Sequence, residues 1–413
     1  MNCLAPFAPA AHELTFSRST NAYTACNYMI RFFLVLLLTL GSNLHADSIV
    51  PMPPNVAAKA YLLIDAGSGE ILAEKNIDMQ LPPASLTKLM TSYVLSVEIS
   101  AGRVGRDDLV VISENSWSQN PLFKGSSLMF IEPGMDVLVQ DLQRGIIISS
   151  GNDATVAVAE HLAGSESAFA DMMNGHAEAL GMSGSYFVNS HGLPDPDHVI
   201  TARDLATLAK AQIVDYPEDY AIYKEREFTY NDIRQYNRNT LLREDPSVDG
   251  LKTGHTTEAG YGLVASAERR GMRLISVVLG TTSELSRKNE SRSLFNYGFR
   301  FFETVSLFGN LEELSKPRIW GGQQDFLPLG VLSEITMTLP RGKKGDLKTV
   351  IEVDEDIVAP VALGDRLGTI NLSLDGEIVF DAPLVALAAV ESSGFFSQLW
   401  DTMLMWVARL FRA

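Results

Sequence analysis

Ser85 and Lys88 are residue types that can act together as a nucleophile and its base. They occur in the segment LPPASLTKLM, where Leu86, Leu89 and Met90 have helical spacing behind two prolines. Proline is tolerated at the start of a helix, so the segment predicts that a helix begins here. Side chains three residues apart then share one face of the first turn. The alternative is a polar helix start without a chemical role.

Two further short strings extend this interpretation: Ser150–Gly151–Asn152 and Lys252–Thr253–Gly254. Each string is weak evidence by itself. Ser150, for example, has with Asp153 the spacing of a helix capping box. In this order, behind Ser-x-x-Lys, they fit the motif set that penicillin-binding proteins share with class A β-lactamases. The middle motif is Ser-Gly-Asn here rather than Ser-Asp-Asn.

The side chains of these motifs suit acyl transfer. A serine hydroxyl is a weak nucleophile and needs an adjacent base. Lys88 can serve only as a neutral amine, which requires burial or a nearby positive charge to lower its pKa. Lys252 is the candidate neighbour, Ser150 can relay a proton, and the amide of Asn152 can hold Lys88. We therefore expect the catalytic residues to be Ser85, Lys88, Ser150 and Asn152.

Helix and strand patterns surround the three motifs. Hydrophobic spacing predicts strands over 60–76, 249–256 and 261–280, and helices after Ser85 and over 139–164, 201–213 and 287–302. The helical run 139–164 is interrupted at 149–152, and the hairpin, which covers 261–280, turns at Arg269–Gly271. Strands at both ends with helices between them predict an α/β (α+β) domain with an antiparallel sheet.

The last hundred residues have a different texture. Between 303 and 388, short β-rich runs separated by Gly, Asp and Pro predict a small all-β domain. In the tail 394–413 the following apolar residues have one-face helical spacing: Phe395, Phe396, Leu399, Trp400, Met403, Leu404, Val407, Leu410 and Phe411. Interrupting charges make it a poor spanning helix and a good interfacial one. The alternative is a terminal helix packed on the protein's own core.

Composition sets limits on partners. The chain has 413 residues, which predicts two or three domains, and a formal charge of −17. That charge argues against a nucleic-acid partner, because phosphate contacts need clustered Lys and Arg. An anionic substrate would have to be bound by local cations. The seven His show no H-E-x-x-H spacing, and we expect no metal and no cofactor.

An export signal is predicted near the N-terminus. Residues 29–48 have a basic head at Arg31, an apolar stretch and a polar end, the layout of a signal peptide cleaved near Ala46–Asp47. Residues 1–46 would then be a leader, with Met29 as the possible true start. Both cysteines, Cys3 and Cys26, would be removed with it. The alternative is an N-terminal membrane anchor.

The chain resembles the low-molecular-mass penicillin-binding proteins that are D-alanyl-D-alanine carboxypeptidases, serine peptidase family S11. The resemblance rests on the three motifs and on IRQYNRNTLL, VDGLKTGHTTEAGYGLVASA and YGFRFFETV. It covers roughly residues 47–413. It implies a penicillin-binding/β-lactamase-like catalytic domain over 47–302, a β-rich domain over 303–390 and an amphipathic membrane-anchor helix over 391–413.

The resemblance also implies substrate-binding residues. The backbone N–H groups of Ser85 and His255 would form an oxyanion hole. The remaining candidates for the substrate site are Lys252, Thr253, Gly254, Arg238, Arg287 and His191. For both arginines the alternative is a solvated surface charge, and for His191 it is a structural role.

The implied function is removal of the terminal D-alanine from peptidoglycan stem peptides through an acyl-enzyme, with β-lactams acylating the same serine. The implied location is the periplasmic face of the inner membrane, held at the membrane surface by the C-terminal helix. One rival is a β-lactamase, which also needs a glutamate for deacylation. Glu160, Glu166 and Glu178 lack the Glu-x-x-Leu-Asn context of that residue. The other rival is a non-catalytic cell-wall-binding protein.

Overall fold

The structure is a computed structural model that describes residues 50–412, with side chains through residue 407. The predicted leader, its cleavage site and the start at Met29 lie outside the described residues. The strands, in chain order, are β1 (Ala60–Asp65), β2 (Ile71–Lys75), β3 (Leu109–Val111), β4 (Asp136–Leu138), β5 (Glu227–Tyr230), β6 (Ile233–Tyr236), β7 (Val248–Thr256), β8 (Gly260–Arg269), β9 (Met272–Thr281), β10 (Phe302–Phe308), β11 (Glu313–Ser315), β12 (Leu329–Gly330), β13 (Ile335–Pro340), β14 (Lys348–Val353), β15 (Arg366–Leu374) and β16 (Glu377–Ala386). The α-helices are α1 (Lys88–Ser100), α2 (Val139–Arg144), α3 (Asn152–Ala163), α4 (Glu166–Ala179), α5 (Ala202–Asp215), α6 (Pro217–Tyr220), α7 (Leu241–Glu244), α8 (Glu284–Phe301) and α9 (Phe395–Arg412).

A five-stranded antiparallel sheet forms the centre of the first domain, in the order β2-β1-β9-β8-β7, as the sequence predicts. The β8–β9 hairpin turns where expected. Arg270 and Gly271 both have positive φ, 55° and 79°, which suits a two-residue turn between twisted strands. Adjacent residues of β8, Leu263 and Val264, are buried in different core clusters. Both faces of the sheet are therefore covered, which explains why β8 and β9 are almost continuously apolar.

Helices cover both faces of the central sheet. Leu294 and Phe295 of α8 pack on one face of the sheet. Leu89 of α1 and Leu205 of α5 pack on the other. Helix α1 is buried along most of its length, as expected for a helix inside a core. Its first residue, Lys88, lies where the helix meets strand β7.

The predicted all-β region is a separate layer of strands. Strands β11, β12, β16, β15 and β14 form one antiparallel sheet in that order, and β10 pairs with β13. Leu329, Ile370 and Leu384 are fully buried in its core. The carboxylate of Asp65, at the end of β1, accepts hydrogen bonds from the hydroxyls of Thr304 and Thr338. This contact joins the central sheet to the β10–β13 pair.

The C-terminal segment forms the predicted helix, α9. On one side Asp401 holds it to the β domain, accepting from Gly321 N at 3.0 Å and pairing with Arg318 at 3.2 Å. Its apolar residues are mostly exposed: Phe395, Phe396, Leu399, Trp400, Met403, Trp406 and Val407. The own-core alternative therefore does not describe this face. Within residues 50–412, no helix combines the length and hydropathy required to span a membrane.

Candidate active site

Ser85 lies in a short 3₁₀ turn that leads directly into α1. Two glycines let neighbouring backbone approach this turn. A Cβ at Gly254 would lie 3.0 Å from Leu86 Cγ, and a Cβ at Gly192 would lie 1.8 Å from the carbonyl oxygen of Ala84. Gly192 also has a φ of +87°, a conformation that other residues rarely adopt. The close packing fixes the position of the nucleophile candidate.

Lys88 is only 1% exposed, which is exceptional for a lysine. Its Nζ donates to Asn152 Oδ1 at 2.6 Å, to the backbone oxygen of His191 at 2.7 Å and to Ser85 Oγ at 3.3 Å. The serine and the lysine therefore meet on one face of the helix start, as their spacing predicts. The amide of Asn152 holds Lys88, also as predicted.

Both buried amines of the site have depressed pKa values. Burial lowers the pKa of Lys88 to about 7; the charge of Asp153 opposes this shift and that of Arg238 adds to it. The pKa of Lys252 lies well below its ordinary value, chiefly through burial and then through the positive charges of Lys88, Arg238 and Arg287. Two amines in one buried site cannot both be protonated without a large cost. Of the two causes expected from sequence for Lys88, burial is the larger.

Ser150 has an unusual backbone. It follows a single π-helical turn, Gly145–Ser149, and takes a left-handed conformation with φ 61° and ψ 32°. Such a conformation costs about 1–2 kcal/mol for an ordinary residue, and π turns are frequent at functional sites. Its Oγ accepts a hydrogen bond from Lys252 Nζ at 2.9 Å. The left-handed turn places the hydroxyl within hydrogen-bond reach of Lys252 on β7, in the lining of the cavity that also contains Ser85.

The capping-box alternative for Ser150 is wrong. Gly151 occupies the N-cap position of α3 and makes no side-chain cap, because the left-handed residue before it moves the helix start by one position. Asp153 instead accepts from the backbone N–H groups of Met129 and Phe130, each at 2.8 Å. Burial raises the pKa of Asp153 and these hydrogen bonds oppose the rise. Asp153 therefore fixes the loop that borders the site.

A surface cavity of about 200 Å³ opens at Ser85. The cavity is lined by Ser85, Gly125, Ser126, Ser127, Ser150, Asn152, His191, Gly192, Leu193, Arg238, Thr253, Gly254, His255, Thr256, Glu284 and Arg287. All of the predicted site residues belong to this lining except Lys88 and Lys252. Those two lie beneath it, hydrogen-bonded to Ser85 and Ser150.

Two arginines give the cavity a positive end. Arg287 is 5% exposed, donates to the backbone oxygen of Gly254 at 3.2 Å and lies 5.6 Å from the ring centre of Tyr261. The ring of His255 stacks on the same tyrosine, with centroids 3.9 Å apart. Arg238 is exposed and has no hydrogen bond or ion pair with any described residue. Arg287 is thus not a solvated surface charge, and Arg238 is free to meet a ligand.

His191 contributes its backbone oxygen to Lys88, and its ring is held by its own loop. Ring Nδ1 accepts from Leu193 N at 3.0 Å, and Nε2 lies 3.1 Å from Glu166 Oε1 without hydrogen-bond alignment. Burial, and then the charge of Lys88, lowers the pKa of His191 to about 3, so the ring is neutral at neutral pH. Glu166 also accepts from Ser190 N at 3.1 Å and Ser190 Oγ at 2.8 Å. Sequence reasoning missed this positioning role because no local pattern marks it.

Carboxylates are scarce in the cavity. Of the described residues that line it, Glu284 is the acidic one, 3.4 Å from Arg287. Within the described range, no group of three or more His, Cys, Asp or Glu is arranged to hold a metal ion. The site offers a hydroxyl beside an amine of depressed pKa, a second hydroxyl–amine pair and a cationic end. This arrangement suits acyl transfer from a substrate that ends in an anion.

Comparison with known families gives two matches. Residues 47–283 match peptidase S11, D-alanyl-D-alanine carboxypeptidase, and residues 302–392 match the penicillin-binding protein 5 C-terminal domain. The chain is 45% identical to D-alanyl-D-alanine carboxypeptidase DacA of Escherichia coli over 364 residues, 87% of this chain and 90% of the relative. It is 46% identical to DacC of the same organism over 355 residues, 85% of this chain and 89% of the relative.

Solved structures agree with these matches. Penicillin-binding protein 5 from Haemophilus influenzae is similar with a TM-score of 0.80 and 41% identity, covering 83% of this chain and 100% of that one. Penicillin-binding protein D2 from Listeria monocytogenes, in its ampicillin-bound form, is similar with a TM-score of 0.53 and 30% identity. It covers 60% of this chain and 100% of its own.

Proposed function

The chain belongs to the D-alanyl-D-alanine carboxypeptidase family of serine peptidases, S11, and on that premise we propose that the cavity at Ser85 is its catalytic centre. The protein is a serine-type D-Ala-D-Ala carboxypeptidase. One observation carries the assignment of roles. The amine of Lys88 lies 3.3 Å from Ser85 Oγ and has a pKa of about 7, so a large share of it is neutral at physiological pH.

In the proposed acylation, neutral Lys88 takes the hydroxyl proton of Ser85 as Oγ bonds to the carbonyl carbon between the two D-alanines. The backbone N–H groups of Ser85 and His255 donate hydrogen bonds to the carbonyl oxygen and stabilise the negative charge that develops on it. Ser150 gives its proton to the nitrogen of the departing amine and regains one from Lys252. Lys252 enters the step protonated beside the substrate carboxylate and leaves it neutral, while the proton taken from Ser85 stays on Lys88. The C–N bond breaks and D-alanine leaves. Water later hydrolyses the ester on Ser85.

The substrate's terminal carboxylate is proposed to lie at the positive end of the cavity. Lys252, Thr253, Arg287 and Arg238 surround that end. A carboxylate there favours the charged form of Lys252, whose pKa is otherwise depressed. Because the whole chain carries −17, these local cations must supply the attraction.

Release of D-alanine from a peptide ending in D-Ala-D-Ala tests the assignment. Ser85→Ala is expected to abolish release, since the acyl acceptor is gone. Lys88→Ala is expected to lower penicillin labelling by about 10²–10⁴-fold, the usual contribution of a general base. Ser92→Ala, a buried serine further along α1, is the matched control and should retain activity. Wild-type labelling of the Lys88→Ala protein would contradict the base assignment.

β-Lactams are proposed to acylate the same serine and to leave slowly. The similarity to a relative with bound ampicillin supports this. A β-lactamase needs a free carboxylate that activates the deacylating water. The carboxylate of Glu166 accepts a hydrogen bond from Ser190, and that of Glu284 lies beside Arg287, so neither is free for this role. Rapid turnover of penicillin by the purified protein would favour the β-lactamase alternative.

We further propose that the protein is exported and lies at the periplasmic face of the inner membrane, held by α9. The exposed apolar face of that helix supports this, since partial burial of seven large side chains contributes roughly 5–10 kcal/mol. Deleting residues 394–413 should release the protein from membranes while D-alanine release continues. Trp406→Asp should weaken sedimentation with membranes, whereas Ser397→Asp, outside the apolar set, should not. Undiminished sedimentation of the truncated protein would refute the anchor.

The domain division is likewise a proposal. We assign residues 47–302 to the catalytic domain, 303–390 to the β domain and 391–413 to the anchor. The end of α8 at Phe301 and the family match that begins at 302 support the first boundary. Limited proteolysis that cuts first within α8 would contradict it.

A further inference from the structure

A second cavity lies at the opposite end of the central hairpin from Ser85. It has a volume of about 420 Å³ and is lined by Arg269, Arg270, Asn296, Phe299, Arg300 and Arg341. Strand β8 runs from the active-site cavity toward this one. From Leu263, which pairs with Thr253, to the Arg270 turn is about 24 Å at 3.4 Å per residue. The two cavities are therefore separate sites.

Two of the four arginines are held in place by the fold. Arg269 lies over the ring of Phe299 at 4.5 Å and pairs with Asp245 at 2.6 Å. Arg341 donates through Nη2 to the backbone oxygens of Phe299 at 2.8 Å and Phe302 at 2.7 Å. One nitrogen of Arg341 thus fixes the guanidinium, and its other donors remain available.

The other two arginines have no such partners. Arg270 and Arg300 are exposed and make no hydrogen bond or ion pair with any residue in the described range. Arg300 lies only over the ring of Phe301, at 5.5 Å. The β8–β9 turn presents Arg270, and the last turn of α8 presents Arg300.

No acidic residue in the described part of the chain lines this cavity. Asp245 is paired with Arg269, and Glu303 accepts from the backbone of Gly342. Among the described residues, the guanidinium groups of Arg270, Arg300 and Arg341 therefore have no carboxylate partner, although the protein carries a formal charge of −17. Unpaired like charges that line one cavity repel one another. A bound anion converts this repulsion into attraction.

We propose that this cavity binds a phosphate group. Guanidinium forks match the oxygens of a phosphate, and several of them together suit a phosphate group better than a carboxylate, which has fewer oxygens to bind. The volume of about 420 Å³ leaves room for the chemical group to which the phosphate is attached. Phe299 and Asn296 supply an apolar floor and an amide at its edge. The phosphate can come from a soluble phosphate ester or from a phospholipid headgroup.

Calorimetric titration of the full chain with pyrophosphate tests the site. Wild type should show saturable one-site binding. The Arg270→Gln/Arg300→Gln variant should bind at least tenfold more weakly, whereas the Lys/Lys variant at the same positions should lose less. Arg226→Gln removes an exposed arginine near a different cavity and should change affinity less than twofold. All variants should release D-alanine at the wild-type rate.

Vesicle sedimentation separates the two sources. If the double variant also binds phosphatidylglycerol vesicles less than wild type does, with phosphatidylcholine vesicles unchanged, the ligand is a lipid headgroup. If vesicle binding is unchanged and only pyrophosphate affinity falls, the ligand is soluble. Non-saturable pyrophosphate binding, or equal losses in Arg226→Gln and the double variant, would overturn the proposal.

Discussion

Acylation of Ser85 by a penicillin is expected to depend steeply on pH, because only neutral Lys88 can take the hydroxyl proton. With a pKa of about 7, the neutral fraction rises from about one tenth at pH 6 to about nine tenths at pH 8. The acylation rate should therefore rise roughly tenfold over this interval and level off above it. With the ordinary lysine pKa of 10.5, about 0.03% of the amine would be neutral at pH 7.

The assay is stopped-flow acylation with a fluorescent penicillin at saturating concentration, so that substrate binding does not shape the profile. Arg238→Gln removes a positive charge that lowers the pKa of Lys88, and its midpoint should move to higher pH. Arg238→Lys keeps the charge and should keep the midpoint. A flat profile between pH 6 and 8, or a midpoint near 10, would refute the reasoning.

Three further outcomes are expected. The Lys88→Met variant should be more stable than the wild type at low pH. In the wild type, burial of the charged amine costs most below pH 7, and this cost declines as pH rises toward 10.5. By the linkage relation, the difference in unfolding free energy between the two proteins should shrink by roughly 3 kcal/mol between pH 6 and pH 9. Chemical denaturation measures this difference. A difference that does not change with pH would contradict a buried charge. Gly192→Ala should abolish penicillin labelling, because its Cβ would lie 1.8 Å from Ala84 O; full labelling would show that the loop is free to move. Glu166→Ala should slow acylation at pH 9, where Lys88 is neutral with or without the Glu166 charge, by freeing the loop that carries the oxygen of His191. An unchanged rate at that pH would remove its positioning role.

The parts of the site that sequence could predict are those set by local spacing. Ser85 and Lys88 meet because residues three apart share a helix face. The β8–β9 hairpin turns where Gly271 permits a positive φ. The antiparallel sheet follows from the order of strands and helices along the chain, and the apolar face of α9 follows from helical spacing.

The parts that sequence could not predict depend on contacts between distant segments. Asp153 binds the backbone of Met129, 24 residues away, and Glu166 binds Ser190, also 24 residues away. Neither pairing leaves a local pattern. The capping-box alternative failed for a related reason: the left-handed backbone of Ser150, which no local pattern marks, leaves Gly151 at the N-cap of α3.

Mass spectrometry of the penicillin-treated protein after trypsin digestion tests the central claim most directly. Cleavage after Lys75 and, where it occurs, Lys88 gives a peptide with Ser85 as its one serine. We predict that this peptide alone gains the mass of the drug. In Lys88→Ala, which lacks the cleavage site at 88, the longer peptide 76–103 should stay unmodified. Drug mass on any other peptide, with the Ser85 peptide unmodified, would contradict the account.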